Sequence, residues 1–159
     1  MAEPKHVDPR TDPMLREAPE LEGFKVLEPC ALYATVGRGG MGVVFRGKHL
    51  NLDVDVAVKC LHPALALQDE QFVVRFQREA RAAARIKHPN VVGVYDVRQT
   101  SGLHYLVMEY VEGETTRQRV QRKGPLAVGE AYKILLGAAR GLALVHRSGM
   151  IHRLSLIHI

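Results

Sequence analysis

The stretch VGRGGMGVVFRG places Gly37, Gly39 and Gly42 in the spacing G-x-G-x-x-G. Glycines at that density let a backbone turn tightly and bring its N–H groups against phosphate oxygens, where a Cβ would collide. Dinucleotide-binding folds share the spacing and carry an acid roughly 20 residues further on, as Asp53 and Asp55 do here. In those folds, however, the glycines open a helix. Here Val43, Val44 and Phe45 follow, two β-branched residues and an aromatic, so the glycines are expected to join two strands. An ordinary hairpin turn without a ligand is the plain alternative.

The stretch DVDVAVKCL is the second candidate. At the two-residue period of a strand, Val56, Val58 and Cys60 share one face and Ala57 and Lys59 the other. A lysine beside a small alanine, under a glycine loop, is placed to meet phosphate as a point charge. A solvated strand lysine would be the ordinary reading. Its weight falls because Glu79 lies in a helical pattern with Phe72, Phe76 and Ala83 at i, i+4, i+7 and i+11, a carboxylate on an otherwise apolar face. An ion pair between Lys59 and Glu79 would explain both anomalies.

The elements that must position these groups follow from pattern. Residues 1–22 hold four prolines among charges with no apolar period and read as a disordered leader. Strands are expected around 32–36, 43–48 and 54–61, then a helix from about Asp69 to Ile86, closed by His88-Pro89-Asn90. Two strands follow, 91–98 and 103–111, joined by a turn at Thr100-Ser101-Gly102. A short polar helix comes after Glu112-Gly113-Glu114, then a break at Gly124-Pro125. The last helix carries Ala131, Leu135, Ala138, Leu142 and Val145 on one stripe and stops near Gly149.

Composition narrows the classes. The chain has 159 residues, 22 Lys+Arg against 17 Asp+Glu, 6% aromatics and no Trp. Its charges are interspersed, so a basic stripe with stacking aromatics is lacking and nucleic acid is not the expected partner. Cys30 and Cys60 form no CxxC or CxxH pair, and His146, His152 and His158 recur at a spacing of no known metal motif, so no metal site is expected. Neither a signal peptide nor a membrane segment is expected in this chain, and the location is read as cytoplasmic, with any anchor lying elsewhere in a longer parent.

The motifs in order resemble the N-terminal part of a protein kinase of the bacterial serine/threonine type. The glycine-rich loop runs from Gly37 to Val44, VAVK ends in Lys59, and the helix acid is Glu79. HPNVVGVYDV and YLVMEYVEG follow, the second resembling the hinge that binds adenine. The resemblance implies an α+β kinase-like fold with a complete β-rich first lobe carrying one helix (about 23–112). The start of a helical lobe would follow (about 113–153), within a kinase domain at 23–153. It implies ATP and Mg²⁺ as cofactors, and protein hydroxyls as acceptors of the γ-phosphoryl group. By resemblance, Val36, Gly37, Arg38, Gly39, Gly40, Met41, Gly42, Val43 and Val44 would cover the phosphates. Lys59 would hold the α- and β-phosphates, and Glu79 would hold Lys59. Ala57 would sit over the adenine, Met108 would be the gatekeeper, and Glu109 and Val111 would offer backbone groups to the base.

The family's catalytic loop reads H-R-D-x-K-x-x-N. His152 and Arg153 fit, but Leu154 stands at the aspartate position, Leu156 at the lysine and Ile159 at the asparagine. Leucine accepts no proton and isoleucine ligates no metal ion. The segment 154–159, LSLIHI, is what CTG TCT CTT ATA CAC ATC encodes, a match to a transposase adapter used in DNA library preparation, so a non-native tail is expected. The alternative is a pseudokinase or nucleotide-binding interaction module without catalysis.

Overall fold

A computed structural model describes residues 8–21, 23–68 and 70–149 of the chain. Its strands are β1 (Glu20–Leu21), β2 (Phe24–Leu27), β3 (Cys30–Gly39), β4 (Gly42–His49), β5 (Val54–Leu61), β6 (Val94–Thr100) and β7 (Leu103–Glu109). They form one 7-stranded antiparallel sheet in the order β1-β2-β3-β4-β5-β7-β6. The helices are α1 (Pro63–Gln68) and α2 (Glu70–Ala83) between β5 and β6, then α3 (Thr116–Lys123) and α4 (Val128–Arg147) after the sheet.

The turns explain the register. Gly39 pairs with Gly42 across a two-residue connection, Gly40-Met41. Ser101 and Gly102 both take positive φ, as a tight hairpin with the twist of its strands requires. At α3, Thr115 and Gln118 form a capping box, so two orphan N–H groups at its start are satisfied. Gly149, with φ +78°, follows Ser148 at the end of α4, where a left-handed residue stops the helix.

The core lies on one face of the sheet. Val43, Phe45, Val56, Val58, Cys60, Tyr105 and Val107 are buried together there, with Leu27, Cys30, Leu32 and Leu103 at its margins. The expected leader is built differently from the sequence reading: residues 1–7 lie outside the described part, but 8–21 are folded. Two short 3-10 turns, Pro9–Thr11 and Pro13–Leu15, lead into β1. Leu15 is 0% exposed and joins the core cluster, with Met14 and Ala18 packed against it. Burying such a side chain contributes about 1.5–3 kcal/mol toward ordering a segment whose short turns have no helical period to detect. The sheet also contains β1 and β2, which the sequence pattern does not mark.

Helical and β parts meet closely at one point. A Cβ on Gly141 of α4 would lie 2.6 Å from the Asn90 carbonyl oxygen, so α4 carries glycine where the His88-Pro89-Asn90 corner crosses it.

Candidate functional site

The ladder decides which side chains share a face. Partners across an antiparallel pair point the same way. Gly37 pairs with Val44, Val44 with Lys59 and Lys59 with Leu106. Two residues along, Arg46 pairs with Ala57 and Ala57 with Met108. Gly37, Val44, Ala57, Lys59 and Met108, singled out at widely separated points of the chain, therefore line one face, opposite the core. Arg38, Val43 and Cys60 are likewise partners in succession, and Val43 and Cys60 are buried in the core. So the side chains of Arg38 and Val43 lie behind the sheet, and only their backbone is available to the front. Val36 is the extra residue of a β-bulge between Thr35 and Gly37, and it is exposed.

Among the loop glycines, only Gly42 has a requirement set by the fold. Its φ is +149°, and a Cβ there would sit 1.9 Å from the Cys60 carbonyl oxygen. A Cβ on Gly37, Gly39 or Gly40 would meet nothing within 4 Å. Their space opens outward, as a backbone that must approach a ligand requires. Met41, at the tip, is exposed, and its carbonyl accepts the His62 N–H at 3.0 Å, tying the tip to the end of β5.

Lys59 is partly buried on the front face, and no described acid forms an ion pair with it. The Lys59–Glu79 pair expected from the sequence is not formed. Glu79 is exposed, whereas the next residue, Ala80, is 4% exposed. The inward stripe of α2 is Phe72, Phe76, Ala80 and Ala83, and Glu79 lies roughly 100° round the helix from Ala80. On that flank the carboxylate keeps its water, which an unpaired acid strongly favours. Nearby, Arg46 pairs with Asp55 and lies 4.5 Å from the centre of the Tyr110 ring.

At the end of β7 the chain leaves the sheet. Glu109 donates its N–H to Gly93 O at 2.8 Å, and its carboxylate accepts the Gly93 N–H at 3.0 Å. Val111 is exposed, and among the described residues its N–H has no hydrogen-bond partner. Two surface clefts lie away from this face. One is between Arg85–Lys87 and the end of α4, and the other is between residues 13–18 and the β6–β7 turn.

The sequence model of the protein kinase domain matches residues 31–153. The chain belongs to the protein kinase domain family. It is 44% identical over 121 residues to the serine/threonine-protein kinase pkn3 of Myxococcus xanthus, covering 76% of this chain and 22% of that protein. To PrkC of Bacillus subtilis it is 38% identical over 133 residues, covering 84% of this chain and 20% of the relative. To PknB of Mycobacterium leprae it is 43% identical over 122 residues, with 74% and 20% covered. The crystal structure of the Mycobacterium tuberculosis PknI kinase domain superposes with a TM-score of 0.72 at 32% identity, covering 84% of this chain and 54% of that one. The chain thus spans about a fifth of the length of these curated relatives. The kinase-like α+β fold expected from the motifs is the fold observed.

The matched region starts at residue 31, so the buried segment around Leu15 and strands β1 and β2 precede it. Their sequence shows no apolar period, and Asp12 before Pro13 marks only a turn. Leu154, Leu156 and Ile159 lie outside the described residues.

Proposed function

We propose that this chain is the nucleotide-holding part of an ATP-dependent serine/threonine protein kinase, which transfers the γ-phosphoryl group of ATP to protein hydroxyls. The observation that carries the reading is Lys59. It is a partly buried ammonium with no described acid paired to it, on the same face as Gly37 and Val44 and near the open side of Gly39 and Gly40. A partly buried cation is stabilised by an anion, and Gly39 and Gly40 leave room for one beside backbone N–H groups. In this reading Lys59 holds the α- and β-phosphates, and Gly37, Gly39 and Gly40 let the loop backbone close on them. Ala57, Val44 and Met108 bound the adenine, and the Glu109 carbonyl and Val111 N–H meet its edge. Glu79 reaches Lys59 only after α2 turns its exposed flank inward, so the described arrangement is one with that contact open.

Mg²⁺ fits less well. The described residues hold no group of three or more His, Cys, Asp or Glu able to bind a metal ion, and Ile159 occupies the family's asparagine position. No step is assigned to it in this chain. Among the described residues no helix is long and apolar enough to cross a membrane.

Titration with a fluorescent ATP analogue tests the reading. Saturable binding, displaced by ATP and weakened about tenfold or more by Lys59→Met, is expected from loss of a charge-assisted phosphate contact. Absent binding, or equal binding by the variant, would contradict it. A second reading, a nucleotide-binding module without catalysis, is favoured by Leu154, Leu156 and Ile159 at three catalytic-loop positions. It predicts nucleotide binding with no phosphoryl transfer to a generic protein acceptor.

A further inference from the structure

The Asp12 carboxylate is 0% exposed in its side chain, yet it belongs to the segment before the family-matched region. Both of its oxygens are engaged. Oδ1 accepts the Met14 N–H at 3.0 Å, which caps the second 3-10 turn, and Oδ2 accepts from Nη2 of Arg38. Arg38 is the residue between Gly37 and Gly39, and its side chain, 47% exposed, lies behind the sheet while the glycine backbone faces the front. The segment is held at two further points. Leu15 is sunk in the core, and Lys25 of β2 donates to the Ala18 carbonyl at 3.0 Å and pairs with Glu20 at 3.0 Å.

We infer that Asp12 is a positioning residue for the phosphate-holding loop: residues 8–18 form a strap across the back of the sheet, and the Asp12–Arg38 pair fixes the Gly37–Gly42 turn from behind. The two ends of this pair are unequally anchored. A carboxylate with both oxygens bonded inside a packed segment has little freedom, so its guanidinium partner is held to it. The guanidinium sits on a run whose own side chains provide almost no packing, since Gly37, Gly39, Gly40 and Gly42 have none. Arg38 is therefore the handle by which the rigid body of the lobe can grip an otherwise soft turn. A charge-assisted bond to a desolvated acid is among the stronger polar contacts, and removing one partner leaves the other unsatisfied. The inference rests on the nucleotide reading only for its consequence. A turn fixed from behind presents its N–H groups at a set height over Lys59, and a freed turn does not.

Hydrogen–deuterium exchange on the 1–159 chain without nucleotide tests the strap, comparing wild type with Asp12→Asn, Arg38→Gln and Arg38→Lys. Exchange of amides in residues 37–42 is expected to speed up about tenfold in Asp12→Asn and Arg38→Gln, the loss of one bond to a charged group. Arg38→Lys, which keeps the charge, is expected to fall between these and wild type, and β5 is expected to be unchanged. Unaltered exchange in 37–42, or an equal acceleration there and in β5, would overturn the proposal, the second result meaning that Asp12 only packs. A parallel titration separates this from the nucleotide reading. Asp12→Asn is expected to weaken a fluorescent ADP but not adenosine, whereas failure of wild type to bind either sinks the nucleotide reading and leaves the exchange result to decide the strap.

Discussion

Substituting the loop glycines one at a time separates what the fold needs from what a ligand needs. Gly42→Ala places a Cβ 1.9 Å from the Cys60 carbonyl oxygen, 3.0 Å from its carbon and 3.2 Å from the His62 nitrogen, all of them backbone, so no side chain can swing aside. The ends of β4 and β5 must separate by more than an ångström or φ must leave +149°. Overpacking of this kind costs about 1–3 kcal/mol, and a non-glycine residue held in such a backbone region costs about 1–3 kcal/mol more. A loss of about 2–6 kcal/mol lowers the melting temperature by roughly 4–24 °C for a chain of this length. Gly37→Ala and Gly39→Ala meet nothing within 4 Å and have no positive φ, so they are expected to melt within about 2 °C of wild type. Their effect falls on nucleotide affinity instead. Scanning fluorimetry of the three variants at one heating rate, with the ATP-analogue titration beside it, gives both readouts. If Gly42→Ala melts with wild type, or Gly39→Ala melts as low as Gly42→Ala is expected to, the division between structural and ligand-facing glycines is wrong.

Leu15→Ala is expected to cost about 2–5 kcal/mol, as for a fully buried aliphatic side chain, and urea unfolding would show it; a change below about 0.5 kcal/mol would mean the strap is not packed. Both thiols are predicted inert in the folded chain, because burial pushes Cys30 up to about 11 and raises Cys60 as well. A thiol reagent at pH 8 should report 2 cysteines only after denaturation, and a fast native reaction would count against the fold. His104 is buried, and desolvation lowers its pKa below the ordinary 6.5. The unfolded chain then binds the proton more readily, so stability is fully present above about pH 6.5 and declines as pH falls through the folded value. The urea midpoint of wild type should therefore drop between pH 7.5 and 5.5 more than that of His104→Phe, and parallel profiles would refute the assignment.

Much of the front face was legible because it depends on short-range pattern. Alternation in β5 put Ala57 and Lys59 together, the β-branched residues after Gly42 showed a strand and not a helix, and Ser101-Gly102 marked its hairpin. What escaped had no period to read. Residues 8–21 fold through two three-residue turns and one buried leucine, a pattern indistinguishable in sequence from a proline-rich leader. Spacing alone puts Glu79 on the inner face of α2. Packing set the helix rotation by Phe76 and Ala80 instead, and a shift of one residue turned the carboxylate outward. Arg38 shows the same limit in reverse. Its place within the glycine motif suggested the ligand side, whereas the ladder with Val43 and Cys60 put it behind.

The central claim is that the face carrying Lys59 receives the phosphates of ATP. Treating the chain with an ATP analogue bearing an acyl phosphate, then mapping acylated lysines by mass spectrometry, tests it directly. Lys59 is expected to be acylated ahead of the exposed Lys87, Lys123 and Lys133, and excess ATP is expected to suppress its labelling. Acylation spread over the exposed lysines and indifferent to ATP would contradict it.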